Sequence, residues 1–419
     1  MTTNDVMPNE LVSGLGKAAS ETRGLPLEGV VVLDTTTVIG GPLMSALLAD
    51  FGARIIKIES PGRGDDGRKL GKSGKSMYWR FMARNKECVT CNLRTEEGQR
   101  LFRKLAAKAD VVLTSVRPGV MQKWGLGYDA LSAINPRIIM LQLSGYGQDG
   151  PYAQKPGYGA LAEAMSGLVY MTGDPAGPPA LPGAPIADPM ASAMGALAIL
   201  LALRQRDREG PSGRGQQIDL SLYGPMLYIM GSYLTEYSAT GHYPIRGEQL
   251  GKRILRDVAR AKDGAWVVFS VISGTLIGRV DRLLRDRGYS LPGDGQYLPE
   301  TPTENYLALG ACLKEWIATL DRKSALEELD KAGIPSAPIY SVADVFSDPH
   351  FASREDFVAV DDPEIGPMKM PRAPFRLSRA QVGVRHPGKP LGADNERIYS
   401  EFLGLDPAEL ARLQSDGVI

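Results

Sequence analysis

Residues 30–59 read VVVLDTTTVIGGPLMSALLADFGARIIKIE, and the fold class follows from how this run is punctuated. Val30 to Leu33 is a continuous apolar run of the kind a strand buried on both faces requires. Thr35 to Gly41 makes a loop, and Pro42 stands where a helix can open without needing its N–H. The helix runs to about Phe51, Gly52 stops it, and Arg54 to Glu59 is the next strand. Strand, helix and strand within about 30 residues open a Rossmann-like sheet.

The same alternation continues on the C-terminal side. Cys88 to Leu93 reads as a strand, Thr95-Glu96-Glu97 begins a helix to about Ala109, and Val111 to Leu113 is another strand. Pro136 precedes a further strand from Arg137 to Leu143. An α/β chain with an open, mostly parallel sheet and helices on both faces is the prediction. Residues 1–25, rich in Ser, Asn, Glu and Gly, read as a flexible extension. Beyond the turn-rich Gly210–Gly215 link, the pattern predicts a helix near Leu220 to Ser238, a strand at Trp266 to Val271, and helices over Thr303–Leu320 and Ser324–Ala332. The expected domains are 26–225 (large, Rossmann-like), 245–345 (smaller, α/β) and a proline-punctuated tail over 371–419 that ends in a helix from Asp406.

Composition narrows the function. The 419 residues carry 48 basic and 48 acidic side chains, and zero net charge disfavours a nucleic-acid partner. Three cysteines cannot build a disulfide framework, which makes a reducing cytoplasm the expected location. Three histidines leave little for a His-based metal site, and none is expected. The apolar run from about Met190 to Leu203 is shorter than the roughly 20 residues of a bilayer span, so no membrane association is expected.

Three local motifs bear on chemistry. The loop after the first strand, Thr35 to Pro42, lacks the Gly-x-Gly-x-x-Gly spacing of a dinucleotide site, although Glu59 ends the second strand where a ribose-binding acid would sit. Cys88 and Cys91 form a lone CxxC. Alternation along a strand puts their thiols on opposite faces, which favours core packing over metal or redox chemistry. In Pro185-Ile186-Ala187-Asp188-Pro189, Asp188 fits a helix N-cap with proline at the first helical position. An aspartate held ionised at a helix start can equally serve as a nucleophile toward an activated acyl group, and the local sequence leaves both readings open.

A larger set of motifs resembles the family III CoA-transferases, which include the formyl-CoA:oxalate and carnitine CoA-transferases and the related α-methylacyl-CoA racemases. The resemblance runs from Leu27 onward. It rests on Leu48–Ala53 with Ile56–Glu59, Arg117-Pro118-Gly119, Ile134–Arg137, Ser144–Gln148, Ala187-Asp188-Pro189, Gly213–Gln216, Gly333-Ile334-Pro335 and Leu391-Gly392. It implies a Rossmann-like large domain completed by the C-terminal segment, a smaller domain, and two chains interlocked as linked rings, in a homodimer or a heteromer with a related subunit. It also implies an enzyme that moves CoA from an acyl-CoA donor such as succinyl-CoA to an organic carboxylate, with an aromatic succinate such as benzylsuccinate among the acceptors. Asp188 matches the family's nucleophile, which forms aspartyl anhydride and aspartyl-CoA thioester intermediates. CoA and acyl-CoA enter as substrates, and no tightly bound cofactor is implied.

The family's CoA contacts fall on Ile39, Gly40, Ser60, Cys91 to Arg94, Ser115, Val116, Arg117, Lys123, and Gly157, Tyr158, Gly159 and Ala160. Arg94 and Lys123 are the candidates for the CoA phosphates. The chain departs from the pattern in four places. Ser60 replaces the arginine of the formyl-CoA:oxalate members. Tyr158 replaces the histidine of the racemases, and a phenol is a weak base for removing an α-proton. Gly159 stands where many members carry aspartate, which implies a larger or reshaped acyl pocket. Arg246 to Arg253 replaces the glycine-rich lid of the oxalate enzymes. Alternatives to the transferase are an acyl-CoA racemase or isomerase and a non-catalytic subunit of a heteromeric transferase.

Overall fold

Six strands form one parallel sheet: β1 (Val31–Asp34), β2 (Arg54–Glu59), β3 (Lys86–Thr90), β4 (Val111–Thr114), β5 (Ile139–Ser144) and β6 (Gln217–Ser221), in the order β3-β2-β1-β4-β5-β6. This is the doubly wound order, with its switch point between β1 and β4. The computed structural model describes residues 24–419 apart from 72–74, 247–253, 296 and 298–300. The extension over 1–25 therefore lies outside the described residues except for Gly24 and Leu25, and so does the Arg246–Arg253 stretch except for Arg246. Two units make up the chain. One comprises the chain up to Ser166, Gly183–Met230 and Phe357–Ile419; the other comprises Gly167–Pro182 and Gly231–Asp356.

In the first unit, Leu33, Ile56, Val89, Val112 and Met140 come from five adjacent strands and are fully buried against Leu101, Phe102 and Leu105 of the Glu96–Ala106 helix. The C-terminal helices pack into the same core through Ile398, Tyr399 and Leu413. They also satisfy the outer edge of β3. Asp394 Oδ2 accepts from Cys88 N at 2.8 Å, Asn395 Oδ1 from Thr90 N at 2.8 Å, and the Val418 carbonyl from Asn92 N at 2.8 Å. An edge strand is thus covered by loops and helix starts instead of another strand. A hairpin of Phe357–Asp362 with Gly366–Pro371 is pinned to the unit by Arg80, whose guanidinium grips Asp362 at 2.6 and 3.2 Å.

The expected helix over Leu220–Ser238 is corrected. Leu220 and Ser221 belong to β6, and helices follow at Tyr223–Ile229 and Gly231–Thr240. β6 is an edge strand that alternates exposed Gln217 and Asp219 with half-buried Ile218 and Leu220, so it lacks the apolar run of the central strands. The 22-residue Ala187–Arg208 helix also exceeds the apolar run that marked it, and by length and composition it is long enough to cross a bilayer. It is a packed helix on one side. Ala191, Ser192, Gly195 and Ile199 are buried, and Gly195 lies so close to Met44 that a Cβ there would meet its methyl at 2.2 Å. Arg206 is buried with its guanidinium 2.9 Å from Asp110.

The second unit has a three-stranded antiparallel sheet, β7 (Leu255–Arg260), β8 (Trp266–Val271) and β9 (Ser336–Pro338). Helices Gly274–Asp286, Thr303–Ala318 and Arg322–Lys331 bury Ile277, Val280, Leu309, Leu313 and Leu329 with Val267 and Phe269 of the sheet. Arg246, the described end of the basic stretch, donates to the carbonyls of Tyr170, Asp174 and Gly177 and so binds the 167–182 segment into this unit.

Candidate active site

The site is built at the C-terminal ends of the parallel strands, where an open α/β sheet presents its loops. Asp34 ends β1 with its carboxylate fully buried. Oδ1 accepts from Thr36 N at 2.9 Å and Thr36 Oγ1 at 2.5 Å, and Oδ2 accepts from Ser45 Oγ at 2.5 Å and Lys86 Nζ at 3.1 Å. Burial alone would raise its pKa, but Lys57, Lys86 and the two hydroxyls outweigh it and hold the group well below the usual carboxylate range. Burial pulls Lys86 down to about 8 against the opposing pull of Asp34. Lys57, also fully buried, donates to the Thr36 carbonyl and lies 3.1 Å from Asp65 Oδ2. Asp65 Oδ1 in turn accepts from Val38 N at 2.9 Å.

This buried network fixes the loop after β1 in a strained shape. Val38 has φ +72°, a left-handed conformation that a β-branched residue adopts only when its surroundings impose it. The strain turns the chain into the Gly40–Asp50 helix and delivers Gly40 to the site. Glu59, the acid in the ribose-binding position, is already committed. Its two oxygens take both arms of Arg68 at 2.7 Å, and Oε2 also accepts from Asp65 N at 3.0 Å.

Asp188 lies at the start of the Ala187–Arg208 helix, part-buried. The capping expectation is corrected here. The helix begins two residues earlier than that expectation, at Ala187, so Asp188 lies inside its first turn, and no side-chain hydrogen bond caps it from within. The carboxylate instead sits between two glycines. A Cβ on Gly40 would lie 3.0 Å from Asp188 Oδ1, and a Cβ on Gly159 would lie 2.2 Å from Oδ2. Burial is the largest influence on Asp188 and raises its pKa. The Gly40 amide opposes this by favouring the charged form, and the charge of Glu163 adds to the rise.

Two side chains that sequence reasoning passed over complete the arrangement. Glu163 is buried on the Gly159–Met165 helix, and its Oε1 accepts from Ile186 N at 2.7 Å and Ala187 N at 3.0 Å. Ser192, one turn after Asp188, places its hydroxyl 2.6 Å from the Gly40 carbonyl and 2.7 Å from the Asp188 carbonyl, tying the two helix starts together. The signals available in the sequence were spacing alone: Glu163 is four residues after Gly159, and Ser192 four after Asp188, so each pair shares a helix face.

The remaining candidate residues divide by location. Ile39, Ser60, Cys91, Arg94, Ser115, Val116, Arg117 and Lys123 follow β1, β2, β3 and β4, and Thr37 N donates to Ser115 Oγ at 3.0 Å across the switch point. Arg94, Arg117 and Lys123 are exposed, with no side-chain ion pair among the described residues. The Cys91 thiol is in the core, donates to the Gly98 carbonyl at 3.3 Å and is pushed up to about 12 by burial. Cys88 packs on the other face, with Trp79 and Ala83, as strand alternation requires. Gly157 packs on Gly145 so closely that a Cβ would meet its Cα at 2.5 Å. Tyr158 and Ala160 are exposed and Gly159 is buried beside Asp188.

A doubly wound sheet with a part-buried aspartate between backbone glycines defines a carboxylate-centred site on a Rossmann-like scaffold. The chain belongs to CoA-transferase family III, whose description it matches over residues 27–395, and it is a CoA-transferase. It is 37% identical to the succinyl-CoA–D-citramalate CoA-transferase of Chloroflexus aurantiacus over 94% of this chain and 98% of that one. It is 35% identical to the succinyl-CoA–L-malate CoA-transferase beta subunit of the same organism over 95% and 99%. A crystal structure of a CAIB/BAIF family protein from Brucella suis superposes with TM-score 0.79 at 32% identity, covering 91% of this chain and 100% of that one.

Proposed function

We propose that this chain transfers CoA from succinyl-CoA to a short dicarboxylate, with Asp188 as the covalent nucleophile. The observation that carries this reading is the seat of Asp188. Its carboxylate is part-buried, free of its own helix's N–H groups, and bracketed by the backbone of Gly40 and Gly159. Asp188 attacks the thioester carbonyl of the donor, forming an aspartyl–succinyl anhydride and expelling CoA thiolate. The thiolate attacks the aspartyl carbonyl, giving an aspartyl-CoA thioester and succinate. The acceptor carboxylate attacks that thioester and again expels CoA thiolate. The thiolate then attacks the acceptor carbonyl of the second anhydride, releasing the new acyl-CoA and free Asp188. The Gly40 amide, which favours the charged carboxylate at rest, supports the oxyanion that develops when Asp188 is the acyl group under attack. Arg94, Arg117 and Lys123, exposed beside the strand ends, supply cations for the CoA phosphates.

The donor and acceptor classes follow the relatives, which are named for succinyl-CoA with citramalate or malate. An aromatic succinate remains an arm of the test. The space vacated at Gly159 is taken by the Asp188 carboxylate, however, and so does not by itself enlarge an acceptor pocket. In the racemase alternative, Tyr158 would act as base at the position of the racemase histidine. Exposed Leu197, Leu200 and Leu201 on the 187–208 helix and Tyr228 on the 223–229 helix support association with a second copy or a related subunit. The cytoplasm is the proposed location. Incubating the enzyme with succinyl-CoA and malate, citramalate, glutarate, oxalate or benzylsuccinate in deuterated water tests the assignment. The expected result is a new acyl-CoA formed one-for-one with succinate from at least one acceptor. Deuterium entering the acyl α-position with no acceptor required would support a racemase instead.

A raised Asp188 pKa has a kinetic consequence, because the nucleophile must be ionised. Activity is present above the folded pKa and lost as pH falls through it. The acid limb of kcat/KM for succinyl-CoA is therefore expected above the ordinary aspartate value of 3.8. A limb at or below that value would contradict the described environment.

A further inference from the structure

The helix that carries Asp188 needs a cap, and Asp188 does not provide it. The first N–H groups of a helix have no partner within it, and an aspartate in the first turn would ordinarily take one. Here Glu163 reaches in from the Gly159–Met165 helix and accepts from both Ile186 N and Ala187 N with a single oxygen, at 2.7 and 3.0 Å. Glu163 is 3% exposed, so water does not compete for these bonds. Gly159, which borders Asp188 Oδ2, begins the same helix one turn before Glu163. One rigid turn therefore supplies both a wall for the carboxylate and the acceptor that fixes the backbone just before it. From the opposite side, the Ser192 hydroxyl ties the Gly40 and Asp188 carbonyls.

We propose that Glu163 is a positioning residue, which caps the Asp188 helix from outside and so leaves the Asp188 carboxylate uncommitted and aimed between Gly40 and Gly159. The inference rests on Asp188 being the nucleophile. A Glu163 that only stabilised the helix would lower stability without slowing the chemical step. A Glu163 that acted only through its charge would be replaced well by aspartate and poorly by glutamine. The geometric role reverses that order. Glutamine keeps an acceptor oxygen at the same reach, whereas aspartate keeps the charge and is one methylene too short to span both N–H groups.

The test is steady-state kinetics and hydroxylamine trapping on the full-length chain, comparing Glu163→Asp, Glu163→Gln and Asp188→Ala with the unmodified enzyme. Glu163→Asp is expected to lower kcat at least about tenfold, with KM for succinyl-CoA within about threefold, because displacement of a reacting group by a fraction of an ångström is costly in rate. Glu163→Gln is expected to retain at least about fivefold more kcat than Glu163→Asp, and a larger trapped fraction at Asp188. A Glu163→Asp enzyme as fast as the unmodified one overturns the proposal, as does a Glu163→Gln enzyme no faster than Glu163→Asp. The control separates the two levels. Activity in Asp188→Ala would overturn the nucleophile reading itself, whereas an inactive Asp188→Ala beside a fully active Glu163→Asp overturns only the positioning role.

Discussion

Asp188→Ala is expected to lower CoA transfer at least about a thousandfold, the scale on which removal of a covalent nucleophile is felt. The substitution removes one part-buried carboxylate and leaves its neighbours in place. Glu163 still accepts from Ile186 and Ala187, and Ser192 still bonds the backbone carbonyls at both helix starts. The buried network of Asp34, Lys57, Asp65 and Lys86 does not involve Asp188, so the loop that presents Gly40 keeps its shape. Affinity for CoA should then stay within about threefold, which isothermal calorimetry with CoA alone would read directly. Thermal stability should stay level or rise, because a carboxylate whose pKa is raised by burial is costly to keep charged. An alanine variant with more than a tenth of the original activity would remove Asp188 from the chemistry.

Gly159→Ala adds a single methyl group and is expected to cost on the order of a hundredfold in kcat. The new Cβ would lie 2.2 Å from Asp188 Oδ2 and 3.1 Å from its Cγ, so one of the two groups must move by about 1 Å. The Gly159 backbone is held in a helix whose later turn is anchored through Glu163. The carboxylate is the more mobile partner and should be displaced from its seat between the two glycines. No strain in the backbone is involved, so the variant should fold, and near-unchanged thermal stability with a collapsed kcat is the expected pattern. Unchanged kcat would show that Asp188 works from a different rotamer.

Much of the fold was legible because it was written in apolar runs. Arg54–Glu59 and Trp266–Val271 appear as strands with the bounds their sequence suggested, and Thr95 caps the Glu96–Ala106 helix through Gly98 N. β6 was missed because an edge strand buries only half of each residue's surroundings, and Gln217 and Asp219 gave it a polar appearance. The Phe357–Asp362 hairpin, with Asp362, Pro363 and Glu364 at its turn, drew no strand prediction from its polar, proline-broken sequence.

The site was legible to a different depth. Asp188 stood out through its Asp-Pro context, but that context pointed first to a cap. What separates the two readings is tertiary: a glutamate 25 residues upstream in the chain occupies the capping position. Neither Glu163 nor Ser192 carries a local pattern that announces its role, since each acts through a backbone group brought close by folding. The strain at Val38 is similarly invisible, because it depends on Asp65 and Lys57 closing over the loop from the next strand and turn.

The most direct test of the account is mass spectrometry of the peptide that contains Asp188 after incubation with succinyl-CoA and trapping with hydroxylamine. An aspartyl hydroxamate at Asp188, absent without the CoA donor, is the predicted result, since both the anhydride and the thioester yield it. An enzyme that turns over succinyl-CoA and acceptor while Asp188 remains unmodified would contradict covalent catalysis by this residue.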